Sequence, residues 1–310
     1  MKNILLLNHK MKNCGVYQYG LRTANILKKS TKYNFIYTEI DNLNEYNAAL
    51  KLNNPFAVIY NNHLDILDWF SPEVVSSNRQ CLHVGIIHEG ECYKKYNYDY
   101  HIHEDSSSHD RENIFVVPRP LLEYTGQHKN PTIPTINSFG FGFADKGFDK
   151  IVNLVESQFD EACINLHMTH AFFGRPLTEL LQLSEYCRSI VNKQNITLNI
   201  TNNFLNENEL LDFLASSTIN VFLYNEKSHT TRGLSSVIDY ALSVDKPIAI
   251  SKSNMFRHLK DVNPSIYVDE RALSDIIQSG TEPLLNIKNK FSNIEFIKKY
   301  EYIFDYICER

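Results

Sequence analysis

Short apolar runs rich in β-branched and aromatic residues alternate with longer helix-patterned stretches, and they do so in two successive series along the chain. This alternation restricts the fold more than any other feature, because strands separated by helices form βα units and hence parallel sheets. The first series is expected to place strands at Asn3–Asn8, Asn34–Thr38, Ala57–Tyr60, Cys81–Ile87 and Ile114–Val117. Its helices are expected near Val16–Lys29, Asn42–Lys51 and Leu64–Phe70. The second series has strands at Thr135–Phe141, Cys163–Met168, Ile196–Ile200, Asn220–Tyr224 and Pro247–Ile250. Helices fall near Phe148–Gln158, Pro176–Asn192, Glu207–Ser216 and Leu234–Ser243. A final amphipathic helix is expected over Phe291–Cys308, with Ile294, Ile297, Phe304 and Ile307 on its apolar face.

Between the series the chain reads Pro118-Arg119-Pro120, then Gly126-Gln127-His128-Lys129-Asn130-Pro131, which is linker chemistry. With 310 residues, two domains are expected: 1–128, 129–290, and a tail helix 291–310 returning to the first domain. The expected architecture is α/β, two Rossmann-like domains facing across a cleft. Ligands of open parallel sheets bind outside the carboxyl ends of the strands, so the residues there are the site candidates.

Composition narrows the function classes. No apolar run approaches the ~20 residues of a membrane helix. The apolar stretch Ile4–Leu7 is too short for a signal-peptide core and reads as a buried first strand, so the protein is expected to stay in the cytoplasm. The six cysteines form no CxxC pair and no metal-ligand spacing, as in a reducing compartment. No metal and no cofactor are expected. A net charge of −5 carries no global nucleic-acid signature. The first 38 residues nevertheless hold Lys2, Lys10, Lys12, Arg22, Lys28, Lys29 and Lys32 and no acid. That segment faces either a phosphate-bearing substrate, an anionic surface such as a membrane periphery, or simply water.

Three constellations stand at strand ends. After Asn8 a polar turn leads to Gly15, which opens a helix whose free N–H groups suit an anion; an ordinary βα turn has the same form. The run Gly140-Phe141-Gly142 followed by Lys146-Gly147 lets backbone approach a phosphate and adds a point charge, or is a glycine-rich turn with a surface lysine. The third, Arg232-Gly233-Leu234-Ser235-Ser236, starts a helix with small residues that leave N–H and hydroxyl donors for phosphate oxygens; Ser235 as a plain N-cap fits equally.

In order and composition these blocks resemble retaining GT-B glycosyltransferases, especially family 4. Residues 232–250 are similar to the family's Glu-Gly-x-x-x-x-x-x-Glu-Ala-Leu block and the Lys-Pro strand after it, through Gly233, Ala241-Leu242 and Lys246-Pro247. The resemblance spans nearly the whole chain and departs at defined places. The family's two glutamates fall on Arg232 and Tyr240, with Asp239 one residue from the expected ribose ligand. The arginine after the glycine-rich strand falls near Phe141 and is missing; Lys146 is kept, and Arg232 or Arg175 stands in for the lost charge. The resemblance further implies a histidine beside the transferred sugar, here His88.

What the resemblance implies is a hexosyltransferase-like enzyme, retaining and metal-independent, that moves sugar from a nucleotide-sugar donor to a hydroxyl on a glycan, lipid-linked or small-molecule acceptor. Its catalytic residues are expected to be His88, Lys146 and Arg232, with Gly15, Gly142, Arg175, Gly233, Leu234, Ser235, Ser236 and Asp239 binding the donor. Two alternatives stay open: transfer to hydroxylated bases of viral DNA, and a non-catalytic sugar-nucleotide-binding protein. His101 and His103 on one strand face, Arg119 after the last strand of the first series, and His167 and His170 are further candidates.

Overall fold

The computed structural model describes the chain except residues 13, 62–65, 68, 89–95, 129, 171–175, 226–232 and 310. In chain order the first elements are β1 (Asn3–Asn8), α1 (Gly15–Leu27), β2 (Asn34–Glu39), α2 (Leu43–Asn53), β3 (Ala57–Asn61), α3 (Pro72–Ser76), β4 (Leu82–Ile87), β5 (Tyr100–His103) and β6 (Ile114–Val116). Then follow β7 (Thr135–Phe141), α4 (Phe148–Gln158), β8 (Ala162–Thr169), α5 (Leu177–Ser189), β9 (Ile196–Thr201), α6 (Glu207–Ala215), β10 (Ile219–Phe222), α7 (Val237–Leu242) and β11 (Ile248–Ile250). The chain closes with α8 (Leu273–Ser279), α9 (Leu285–Lys290) and α10 (Asn293–Cys308). These elements form two compact units: Met1–Leu121 with His229–Leu234 and Asn289–Arg310, and Leu122–Ser228 with Ser235–Lys288.

The first unit holds a six-stranded sheet in the order β2-β1-β3-β4-β5-β6 with every pair parallel. Successive side chains of a strand point to opposite faces. Ile4 and Leu6 therefore join a core with Ile59, Val84 and α1, while Leu5 and Leu7 join one with Val58, Tyr46 and Phe70 on the other face. Strands covered on both faces read as continuous apolar runs, as β1 does. The order of connection reverses between β1 and β3.

Helix α10 belongs to this unit and covers the first of those cores with Phe296, Tyr300, Ile303, Phe304 and Ile307. Of the expected apolar face, Phe304 and Ile307 are buried and Ile297 packs against this core, while Ile294 is 66% exposed. Positions 296, 300, 303, 304 and 307 follow the i, i+4, i+7, i+8, i+11 rows of a helix, and the aromatics Phe296 and Tyr300 complete the stripe. Tyr33 donates its hydroxyl to Asp305 (2.8 Å), and Ser30 donates to Glu301 (2.6 Å), which fixes the helix lengthwise. Of the helix expected at Leu64–Phe70, residues 64, 65 and 68 lie outside the described residues. Its described residues are non-helical, and the helix there is α3, with Pro72 in its first turn and an extended Ser71 before it. Proline is pre-set for that position and pushes its predecessor out of helical geometry.

The second unit holds a five-stranded parallel sheet in the order β11-β10-β7-β8-β9, reversing between β7 and β10. Asn220, Asn137, Asn165 and Asn199 occupy one register row across β10, β7, β8 and β9. Asn199 donates to Asn165 and Asn165 to Asn137, both at 2.9 Å. The row runs from buried Asn220 and Asn137 to exposed Asn199, and Asn137 also donates to the carbonyl of Phe213. Helix α4 buries Phe148, Ile151, Val152 and Val155, the i, i+3, i+4, i+7 stripe of an amphipathic helix. No helix among the described residues is long and apolar enough to cross a membrane.

Candidate functional site

The carboxyl edge of the first sheet carries a continuous row of hydrogen-bonded polar side chains. Tyr17 and Tyr37 donate to Glu39 Oε1 at 2.6 and 3.0 Å. Asn8 Nδ2 donates to the Tyr37 hydroxyl (3.1 Å) and to the Tyr17 carbonyl (3.0 Å). Asn61 Nδ2 donates to Asn8 Oδ1 (2.8 Å) and to the Val16 carbonyl (2.7 Å), which ties the first turn of α1 to the edge. His88 Nε2 lies 2.8 Å from Asn61 Oδ1, and His88 Nδ1 lies 3.1 Å from Glu104 Oε1. Arg119 Nη1 closes the row 2.8 Å from Glu104 Oε2. That contact is ionic more than directional, since neither atom meets hydrogen-bond geometry.

Sequence order hides this row; strand order makes it. Asn8, Asn61, His88 and Glu104 each end or immediately follow a strand, and adjacent parallel strands bring them side by side. The row is buried: His88, Glu104 and Arg119 side chains are 8%, 7% and 2% exposed. Burial alone raises the Glu104 carboxyl, but the Arg119 guanidinium and His88 outweigh it and hold the group below the usual carboxylate range. The Asn61 amide nitrogen is committed to two carbonyl-type acceptors, so its oxygen must face His88, and both ring nitrogens of His88 look onto acceptors. Tyr19 packs edge-on against the His88 ring at 5.2 Å. His88 is thus an anchored member of the edge.

At the amino end of α1, Cys14 is extended and gives no side-chain cap, the first turn contains no acid, and Gly15 is exposed. Its leading amides are those the sequence reading assigned to an anion.

In the second unit the decisive group is Lys146. Strand β7 ends at Phe141, and Ala144–Lys146 form a single tight turn closed by Gly147. Gly147 has φ +65°, and a Cβ there would lie 1.9 Å from the Leu223 carbonyl oxygen, so only glycine lets this turn seat against the residues after β10. The turn is tied down by Asn225, whose N–H donates to the Asp145 carbonyl (2.9 Å) and whose side chain donates to the Ala144 carbonyl (3.1 Å). Lys146 therefore stands where the sheet order reverses, between the carboxyl ends of β7 and β10. Its ammonium lies 3.9 Å from the centroid of the Tyr224 ring and makes no ion pair with any described residue. A side chain at Gly142 would collide with Leu180, 2.7 Å from its Cβ position.

The remaining candidates are placed as follows. Arg175 and Arg232 lie outside the described residues. Gly233 and Leu234 group with the first unit, Ser235 and Ser236 with the second. Helix α7 begins at Val237, three residues later than the sequence implies. The reason is local: the Ser235 N–H donates to the Met255 carbonyl (3.1 Å) and its hydroxyl to Tyr224 Oη (3.1 Å), so Ser235 is held outside the helix and does not cap it. The Ser236 hydroxyl makes no hydrogen bond with any described residue, whereas Asp239 is fully buried. Tyr240, at the second glutamate position of the resembled family, is buried with its ring 5.6 Å from Phe139 and fills core space. His167 also points into the unit: it is 2% exposed, bonds Thr201 Oγ1 at 2.8 Å, and burial lowers its pKa to about 4. Among the described residues no group of three or more His, Cys, Asp or Glu is placed to hold a metal ion.

Solved structures resemble this arrangement over the whole chain. Anabaena HepE in complex with UDP-glucose aligns with a TM-score of 0.63 at 10% identity, covering 98% of this chain and 100% of that one. The lipopolysaccharide outer core galactosyltransferase WaaB aligns with a TM-score of 0.67 at 12% identity over 98% and 99%. Sucrose-phosphate synthase from Thermosynechococcus elongatus gives 0.62 at 10% identity over the full length of both. The chain has the GT-B glycosyltransferase fold. No family model matches the sequence, and no curated protein matches it.

Proposed function

We propose that this protein is a glycosyltransferase that moves a sugar from a nucleotide-sugar donor to a hydroxyl acceptor. The observation that carries the reading is Lys146: a cation with no counter-ion among the described residues, set by a glycine-dependent turn at the reversal point of the second sheet, in a fold whose HepE example holds UDP-glucose. In the transfer the bond from the anomeric carbon to the donor phosphate breaks and a bond to the acceptor oxygen forms. Positive charge builds on the sugar and negative charge on the departing diphosphate. Lys146 supplies the countercharge, with Arg232, Arg175 and the Gly233 and Ser236 end of the α7 approach as further donors. The acceptor proton passes to the departing phosphate, so no protein nucleophile is required, and the reaction retains anomeric configuration without a metal. The hydrogen-bonded edge of the first sheet, with His88 at its middle, forms the acceptor side.

The test is nucleotide release from nucleotide sugars in the presence of acceptor panels, with Lys146→Ala as control and with excess EDTA. Turnover that survives EDTA, falls at least tenfold in Lys146→Ala and yields the same anomer by NMR supports each part. A second reading, sugar-nucleotide binding without turnover, draws on Tyr240, an aromatic core residue where the resembled family has a carboxylate. Tight nucleotide-sugar binding with no transfer to any acceptor, DNA containing hydroxymethylated bases included, would select it.

A further inference from the structure

The aromatic ring under Lys146 is itself built in. Tyr224 is 4% exposed, and each part of it is held. Its hydroxyl accepts from Ser235 Oγ at 3.1 Å, and its carbonyl accepts from Ser251 Oγ at 2.7 Å. Its ring meets Phe256 at 4.8 Å between centroids. The Asn225 bonds to Asp145 and Ala144 then lock the lysine turn to the residue next to the tyrosine. Lysine is a flexible four-carbon chain whose ammonium is normally well hydrated and free to sweep. Here its charge rests on a fixed π face at 3.9 Å, close enough for cation–π attraction. The ring covers one side of the ammonium, and no described residue pairs with it in an ion pair.

We propose that Tyr224 is a positioning residue for Lys146: its ring, packed on Phe256, pre-sets the ammonium at the edge of the second sheet for the diphosphate of the donor. This rests on the nucleotide-sugar reading and deepens it. The ring acts by lowering the ordering cost that a free lysine meets when it binds phosphate. Tyr224 touches the lysine, so its effect on a diphosphate must run through Lys146 and vanish when that cation is gone.

The experiment has two arms on the full chain. In the first, lysines are dimethylated with ¹³C-formaldehyde and the Lys146 resonance is assigned with Lys146→Arg. The Lys146 methyl signal is expected upfield from aromatic ring current in the wild type and in Tyr224→Phe, and at an ordinary position in Tyr224→Leu. An unshifted wild-type signal overturns the proposal without reference to any nucleotide. In the second, UDP binding is measured by calorimetry for wild type, Tyr224→Phe, Tyr224→Leu, Lys146→Met and the Leu/Met double variant, each checked for native circular dichroism. Tyr224→Phe is expected within about twofold of wild type, and Tyr224→Leu about fivefold weaker, the size of one partly exposed cation–π contact. The double variant is expected no weaker than Lys146→Met alone, because the two act as one unit. Losses that multiply in the double variant, or equal losses in Tyr224→Phe and Tyr224→Leu, overturn the proposal while leaving nucleotide binding intact. Absence of UDP, GDP, ADP and CMP binding by the wild type contradicts the nucleotide reading and removes this proposal with it.

Discussion

Replacing Glu104 by Gln tests the edge of the first sheet with a change of one atom type. Glu104 lies between Arg119 (2.8 Å) and His88 (3.1 Å), with all three side chains 8% exposed or less. Glutamine keeps the volume and one acceptor for His88 but removes the charge that compensates Arg119. Breaking a buried ion pair from one side costs about 3–5 kcal/mol, and the retained acceptor puts this case near the lower figure, about 3 kcal/mol. Against a total stability of about 5–15 kcal/mol that is a large loss. The chain contains a single tryptophan, Trp69, which packs with the Leu5 and Tyr46 core of the same unit, so its fluorescence reports unfolding there. Urea titration followed at that tryptophan should show a lower midpoint with an unchanged slope. Adding Arg119→Met to Glu104→Gln should recover part of the loss, since the cation is gone along with its partner. A loss below about 1 kcal/mol for Glu104→Gln, or simple additivity in the double variant, would refute the ion-pair reasoning. Because Glu104 is held below the ordinary carboxylate value of 4.5, its contribution is complete above that pH and disappears as the solution is acidified through its lower folded value.

His167 makes a separate prediction in acid. Its folded pKa of about 4 lies below the ordinary 6.5, so the unfolded chain takes up a proton between these values while the folded one does not. Stability should fall as pH drops from about 6.5 to about 4, with a ceiling near 3 kcal/mol and about 2 kcal/mol realised after screening. His167→Asn should flatten that part of the pH profile measured by denaturant unfolding; an unchanged slope would contradict the assignment. Gly147→Ala forces a Cβ to 1.9 Å from the Leu223 carbonyl at a left-handed backbone position. It should cost about 2 kcal/mol or more and weaken nucleotide binding as Lys146 shifts, both readable by melting with and without ligand. Phe304→Ala, at a fully buried α10 position packed 5.8 Å from both Tyr33 and Phe35, should cost about 3–5 kcal/mol at the same tryptophan probe.

The parallel-sheet fold was legible because its signal is local. Strands β1 and β7 and helix α4 coincide with the sequence expectation residue for residue, since each is a continuous apolar run or a clear helical stripe with a turn on either side. Helix α10 is legible with most of its buried face, Ile297, Phe304 and Ile307; Ile294 faces outward instead, and Phe296 and Tyr300 complete the stripe. Helix α7 was extended too far because Ser235 reads as an N-cap, whereas its N–H and hydroxyl are taken by Met255 and Tyr224, both distant in sequence. His88 and Lys146 stood out as polar residues at strand ends. Their partners did not: Asn61, Glu104 and Tyr224 become neighbours only through the strand order, which a single sequence does not state. The available sign was weak but real, a polar residue closing each of several apolar strands.

Nucleotide binding at the second sheet underlies the proposed transfer. A thermal-shift series with UDP, GDP, ADP and CMP and their common sugar conjugates tests it most directly. A ligand present at about one hundred times its dissociation constant adds about 2.7 kcal/mol of stability, a rise in melting temperature of a few degrees for a unit of this size. Such a rise is expected with one nucleotide and its sugar conjugate, and is expected to be lost in Lys146→Ala. No rise with any of them, or a rise that Lys146→Ala leaves intact, would contradict the proposal.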